Sequence, residues 1–167
     1  MKAKELSGAR RGSHNRRGTL AGLVAPAVVT TQGAHEPIRT LIADDSALCR
    51  RAAEMLLAQL PQVQMVGAAA DGVDVLALVA STRPDLVVMD LQMPRLDGLQ
   101  ATRKIRAEFP GVRVIIATFS DSEELKAASA ASGVDGFISK ERLRDELPSA
   151  IAQLFSRRAT GVEGERP

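Results

Sequence analysis

Five side chains carry the chemistry that this sequence spaces most suggestively: two adjacent aspartates, Asp44 and Asp45, a third carboxylate, Asp90, a hydroxyl, Thr118, and an amine, Lys140. Asp44 and Asp45 follow Leu41-Ile42-Ala43, Asp90 follows Leu86-Val87-Val88-Met89, Thr118 follows Val114-Ile115-Ile116-Ala117, and Lys140 follows Gly136-Phe137-Ile138-Ser139. Each stands at the carboxyl end of a short, mostly apolar run. Three carboxylates meeting in one cleft repel one another, and the crowding is tolerable where a divalent cation neutralises them or where pKa values rise. Magnesium fits such an oxygen set: it takes about six oxygens, usually one or two carboxylates with water and phosphate oxygens. A carboxylate left over can act as a nucleophile toward a phosphoryl group. The Lys140 ammonium can pair with that carboxylate and later with a phosphate oxygen, while the Thr118 hydroxyl donates to another.

Singly, each signal has a plainer reading. Asp44-Asp45-Ser46 is a common strand end and helix cap, a single lysine is commonly solvated, and a threonine can simply end a strand. What separates this sequence from those readings is the combination at matching strand ends.

The five side chains meet only if the runs that carry them lie side by side. From Ile38 onward, strand-like segments at 38–43, 63–68, 85–89, 112–117 and 136–139 alternate with stretches of helical spacing. That alternation is the signature of a parallel sheet with helical crossovers. Leu48, Ala52, Met55, Leu56 and Leu60 form one apolar stripe, and Leu143, Leu147, Ile151 and Leu154 form another, each at helical period. The spacing between them predicts helices near 72–82, 98–109 and 121–132. Ser46, Asp97 and either Ser120 or Asp121 are the expected N-caps, with Ser120 and Glu123 spaced as a capping box and Gly133 as the expected stop. Right-handed crossovers put helices on both faces, giving an α/β three-layer sandwich. Ligands of such sheets bind at the carboxyl ends of the strands, where strand order reverses.

Composition narrows the alternatives. With 45% hydrophobic residues among 167, the chain can supply a core, which excludes a wholly disordered protein. The one cysteine, Cys49, makes neither an internal disulfide nor a thiolate zinc site by itself. The longest apolar run, 20–29, is broken by Gly22 and Pro26 and is well short of the roughly 20 residues a spanning helix needs, so no membrane partner is expected. The net charge of +2 divides into +4 over residues 1–36, −3 over 37–155 and +1 over 156–167. The basic isoelectric point therefore comes from the ends, and the acidic middle argues against direct nucleic-acid binding. Residues 1–36 read as a disordered basic leader, 37–156 as the domain and 157–167 as a short flexible tail. Arg16-Arg17 before the apolar run resembles a twin-arginine export signal. Pro26 within the run and the lack of a small-x-small cleavage site favour a plain leader on a cytoplasmic protein.

Four stretches in order resemble the receiver domain of two-component response regulators: Ile42-Ala43-Asp44-Asp45-Ser46, Met89-Asp90-Leu91-Gln92-Met93-Pro94-Arg95-Leu96-Asp97-Gly98, Ala117-Thr118, and Gly136-Phe137-Ile138-Ser139-Lys140. The resemblance covers about residues 38–155 and is greatest to receivers that precede helix-turn-helix output domains. It implies a flavodoxin-like fold with strand order 2-1-3-4-5. It implies Asp90 as phosphoacceptor, receiving a phosphoryl group from a sensor histidine kinase or a histidine phosphotransfer protein. By the same resemblance Asp45 binds Mg2+ directly, Asp44 assists mainly through water, Asp90 shares the ion, and the Gln92 backbone carbonyl completes the protein ligands. Thr118 and Lys140 would hold the phosphoryl oxygens, and Phe137 would be the aromatic that reports the state of Thr118.

Two residues depart from the family pattern. Phe119 follows Thr118 where a small residue is usual, a ring expected to narrow access to Asp90. Glu141 follows Lys140 where many receivers have proline. Because about a dozen residues follow Phe155, the chain reads as a stand-alone receiver whose output is binding to a downstream protein or to a second copy of itself. It reads as a phosphoacceptor switch and not as a turnover enzyme. Two other classes remain open at this point: a transcription regulator lacking its DNA-binding half, and an aspartate-nucleophile phosphohydrolase. The second expects Asp-x-Asp after the first strand, whereas Asp44 and Asp45 are adjacent.

Overall fold

A computed structural model describes residues 36–120 and 122–156. The sequence expectations for the leader, the tail and Asp121 lie outside the described residues, except for Glu36. The elements run β1 (Ile38–Ala43), α1 (Ala47–Leu57), β2 (Val63–Ala69), α2 (Gly72–Thr82), β3 (Leu86–Met89), α3 (Gly98–Glu108), β4 (Arg113–Thr118), α4 (Glu123–Ala131), β5 (Gly136–Ser139) and α5 (Leu143–Phe155), with a single 3-10 turn at Lys140–Arg142 leading into α5. All strand pairs are parallel, in the order β2-β1-β3-β4-β5. The α/β sandwich expected from the alternation is the fold observed, with the flavodoxin-like strand order that the resemblance implies.

The strands sort their side chains by parity, because successive residues of a strand point to opposite faces. Val87 and Met89 join Leu41, Val75, Val79, Ile105, Val114 and Ile116 in one buried cluster. Leu86 and Val88 join Ile42, Ala53, Leu57, Ile115, Leu147 and Ile151 in the other. Helices α2 and α3 thus cover one face and α1 and α5 the other. With both faces covered, β3 is buried along its whole length, which is why its sequence is continuously apolar.

Local chemistry sets the helix ends. Ser46, Asp71 and Asp97 each cap a helix by accepting backbone N–H bonds. Gly133, at φ 81, follows α4 in the left-handed region that a stop residue needs. Two expectations require correction. The cap of α4 is Ser122, whose hydroxyl accepts from the Leu125 N–H, and not Ser120: the Ser120 N–H instead donates to the Thr118 hydroxyl, holding that residue in the preceding turn. The stripe expected to bury α1 is also only partly in phase: Leu56 and Leu60 pack against the core. Ala53 and Leu57 are buried, whereas Leu48 is 80% and Met55 57% exposed. The segment is apolar on two overlapping helical phases, and the sheet takes the one that presents Ala53 and Leu57.

No helix among the described residues is long and apolar enough to cross a membrane.

Candidate functional site

Sheet register assembles the site. Ala43 pairs with Met89 across β1 and β3, so the residues that follow, Asp44 and Asp90, leave the sheet as neighbours at the point where strand order reverses. The Asp90 N–H donates to the Ala43 carbonyl at 2.7 Å and extends that ladder by one residue. Thr118 pairs with Ser139 across β4 and β5, which carries Lys140 to the same edge.

There the Lys140 ammonium donates to Asp44 Oδ2 at 2.7 Å and to Asp90 Oδ2 at 2.8 Å, with the three side chains only 7%, 5% and 8% exposed. The remaining carboxylate oxygens are also engaged. Asp44 Oδ1 accepts from the Ser46 N–H at 3.0 Å, and Asp90 Oδ1 accepts from the Leu91 N–H at 2.7 Å. Asp45 is exposed, yet Asp44, Asp45 and Asp90 each present an oxygen within 4.8 Å of the other two. Burial raises the Asp90 carboxyl above the usual carboxylate range, the Lys140 hydrogen bond and charge oppose that, and the neighbouring Asp44 charge adds to it. For Lys140, burial works against the charged form, but the bonds and charges of the two aspartates prevail and raise the ammonium.

The loop after β3 is clamped on both sides. Gly98 packs so tightly that a Cβ there would lie 2.3 Å from the Asp90 carbonyl oxygen, and its N–H closes the turn onto the Leu91 carbonyl at 2.9 Å. Arg95, at φ 63, reaches to the N-terminus of α2, bonding the Asp71 carboxylate and, at 2.7 Å, Asp74 Oδ1. The Arg95 hydrogen bond holds the Asp71 carboxyl below its ordinary value. A Cβ at Gly72 would meet the Leu96 carbonyl at 2.2 Å, so α2 and the loop are in direct contact. Sequence reasoning missed this clamp: Arg95 and Asp71 are 24 positions apart, and no spacing rule links them.

Of the residues expected at the site, Asp44, Asp90 and Lys140 touch, and Asp45 adjoins them. Gln92 shares with Asp45 the wall of an open groove of about 670 Å³. The buried Thr118 accepts the Ser120 N–H at 3.3 Å, which leaves its own hydroxyl proton available to donate. Phe137 is half-buried against the cluster under α2 and α3 and lines a separate groove with Asp135, Asp145 and Glu146. The donors around Asp44, Asp45 and Asp90 are all oxygens, with no thiol or imidazole in the cluster, which suits a hard divalent cation.

The response regulator receiver domain family matches residues 40–152. The chain belongs to that family. This receiver is similar to the response regulator GacA of Pseudomonas aeruginosa, 34% identical over 119 residues, which are 71% of this chain and 56% of that protein. It is also similar to the nitrate/nitrite response regulator protein NarL of Escherichia coli K12, 30% identical over 118 residues, 71% and 55% of the two chains. It thus spans a little over half the length of these curated relatives. Among solved structures, a LuxR-family two-component response regulator from Aurantimonas sp. SI85-9A1 superposes with a TM-score of 0.69 at 30% identity, over 74% of this chain and 88% of that one. The response regulator domain of Thermotoga maritima CheB does so with a TM-score of 0.65 at 27% identity, over 77% and 99%.

Proposed function

We propose that this receiver takes a phosphoryl group onto Asp90 in a magnesium-dependent reaction and signals by altered binding to another protein. The observation that supports the reading most directly is the ammonium of Lys140 seated between Asp44 and Asp90, with Asp45 beside them. Such an arrangement does three things for a carboxylate nucleophile. Burial strips Asp90 of water that attack would otherwise have to displace, Lys140 favours its charged form against that burial, and the Leu91 N–H fixes its orientation. As an Asp90 oxygen bonds phosphorus and the donor's bond breaks, the donor nitrogen leaves with the electron pair. Lys140 and the Thr118 hydroxyl then answer the charge on the phosphoryl oxygens. Asp44, Asp45, Asp90 and the Gln92 carbonyl would hold the cation, which when bound offsets negative charge on the transferred group.

A donor histidine on a cytoplasmic sensor kinase or a phosphotransfer protein is the partner this reading expects. The receiver is a switch that assists its own phosphorylation, with output through a downstream protein or a second copy. Incubation with Mg2+ and a small phosphodonor, followed by intact-mass measurement, tests this. A phosphate-sized gain in the native protein that disappears in Asp90→Asn is the expected result, and a gain that survives the substitution overturns the assignment of Asp90.

A further inference from the structure

In the loop between β3 and α3, the Arg95 backbone is held where an arginine does not settle unaided. Its φ is 63, and across it the Leu96 N–H donates to the Pro94 carbonyl at 2.7 Å. A carbonyl bonded to the N–H two residues on, with the middle residue at positive φ, is the rare, strained form of the γ-turn. A residue with a full side chain stays in such a conformation only where its surroundings enforce it. What enforces it here is on α2. The Arg95 guanidinium bonds the Asp71 carboxylate and, at 2.7 Å, Asp74 Oδ1. A cation is the wrong charge for a helix N-terminus, so it is the two carboxylates that keep it there. With its side chain 53% exposed, Arg95 adds little to stability through these pairs. Their consequence is geometric.

The rest of the loop is anchored on either side of this turn. Toward α3, Leu96 lies against Gly72 and Asp97 caps the helix. Toward β3, the Leu91 carbonyl accepts the Gly98 N–H at 2.9 Å. Gln92, Met93 and Pro94 stand between that bond and the turn, with Gln92 exposed on the groove wall that it shares with Asp45. We propose that Arg95 is a positioning residue for the divalent cation, fixing the Gln92 stretch beside Asp45 through its bonds to Asp71 and Asp74. The inference rests on the proposed reading that Asp45 and the Gln92 carbonyl are ligands of that ion. Magnesium demands near-ideal octahedral geometry and sheds water reluctantly, so a ligand stretch ordered before the ion arrives loses less freedom on binding. Without the clamp, residue 95 relaxes from positive φ, the three residues before it gain freedom, and the ion has to order them. Charge acting through space predicts the opposite sign: removing a cation near the carboxylates would tighten Mg2+ binding, whereas removing the clamp weakens it.

The test measures Mg2+ binding to the full chain by isothermal titration calorimetry, with far-UV circular dichroism checking that each protein is folded at the titration temperature. The native protein is compared with Arg95→Ala, with Asp71→Asn, Asp74→Asn, and with all three changes together. The Arg95 side chain is half-exposed, so its removal opens no core, and asparagine at 71 keeps an N-cap on α2. Arg95→Ala is expected to raise the Mg2+ dissociation constant about tenfold, the low end of what loss of an outer-shell partner costs a metal site. The Asp71→Asn, Asp74→Asn protein, which keeps the arginine, is expected to weaken binding by a similar factor, and the triple variant no further, because both changes break the same clamp. An Arg95→Ala protein that binds Mg2+ as tightly as the native chain, or more tightly, overturns the positioning role while leaving the cation site intact. A triple variant in which the two losses multiply does the same. A native protein that binds no Mg2+ overturns the cation site and the positioning role together.

Discussion

Replacing Lys140 by alanine probes the energetics of the site more sharply than any other single change. Its ammonium lies 2.7 Å from one buried carboxylate and 2.8 Å from another, so its loss leaves two nearly dehydrated anions facing each other. Removing one partner of a buried ion pair costs about 3–5 kcal/mol. Here the cost falls near the lower end, because the Asp90 carboxyl, already raised by burial, can take up a proton and relieve the repulsion. We therefore expect Lys140→Ala to lose about 3 kcal/mol, which for a domain of this size is about 10–15 °C in Tm. The sequence has neither Trp nor Tyr, so urea unfolding is best followed by far-UV circular dichroism in metal-free buffer. The Asp90→Asn, Lys140→Ala double variant carries one buried anion fewer and should regain about 1.5 kcal/mol relative to Lys140→Ala. A loss under about 1 kcal/mol, or a double variant that is merely additive, would show that the Lys140 contacts are not coupled and refute the hub role given to this ammonium.

Two other perturbations test neighbouring parts of the fold. Ser129 Oγ is the buried side-chain polar atom without a hydrogen-bond partner among the described residues, so Ser129→Ala should stabilise the domain by about 1–2 kcal/mol, read as a higher urea midpoint; a lower midpoint would mean that the hydroxyl has a partner after all. The Asp71–Arg95 clamp gives a pH signature. Because the folded state depresses the Asp71 carboxyl, its stabilising contribution is present above the ordinary carboxylate range and is lost as pH falls through it. The Tm gap between the native protein and Asp71→Asn should be constant from neutral pH to about pH 5 and narrow below about pH 4. A gap that persists undiminished to pH 3 would place its origin elsewhere.

The elements of this fold were legible where one signal dominated. The β3 run Leu86-Val87-Val88-Met89 is apolar throughout because both its faces are covered, and Asp97 caps α3 because its carboxylate accepts the Gln100 N–H. Reading failed where two signals overlapped. In α1 both the phase through Leu48 and Met55 and the phase through Ala53 and Leu57 satisfy a helical period, and only the sheet decides between them. Before α4, Ser120, Asp121 and Ser122 are all chemically able to cap, and the start of the helix at Glu123 puts Ser122 in the capping position. The site divides the same way. Asp44, Asp90 and Lys140 were readable because parallel register places strand ends together. The Arg95–Asp71 clamp and the ring of Phe119 over Lys140 arise from loop conformations that no local pattern encodes.

If Asp90 is phosphorylated as proposed, charge balance makes Lys140 the natural pivot of the response. Asp44, Asp45 and Asp90 carry three negative charges and Lys140 one positive, a formal sum of −2 that one divalent cation would bring to zero. Converting the Asp90 carboxylate to a phosphorylated side chain replaces one negative charge by roughly two, so the balanced site gains about one negative charge that must be met from within. Thr118 can offer a hydroxyl dipole, but Lys140 is the full charge in contact, and its two bonds are now shared between Asp44 and Asp90. A shift of Lys140 toward the phosphoryl oxygens would loosen its hold on Asp44 and draw it from under the ring of Phe119. On the proposed reading, phosphorylation of Asp90 would thereby be felt at the turn after β4 through Lys140.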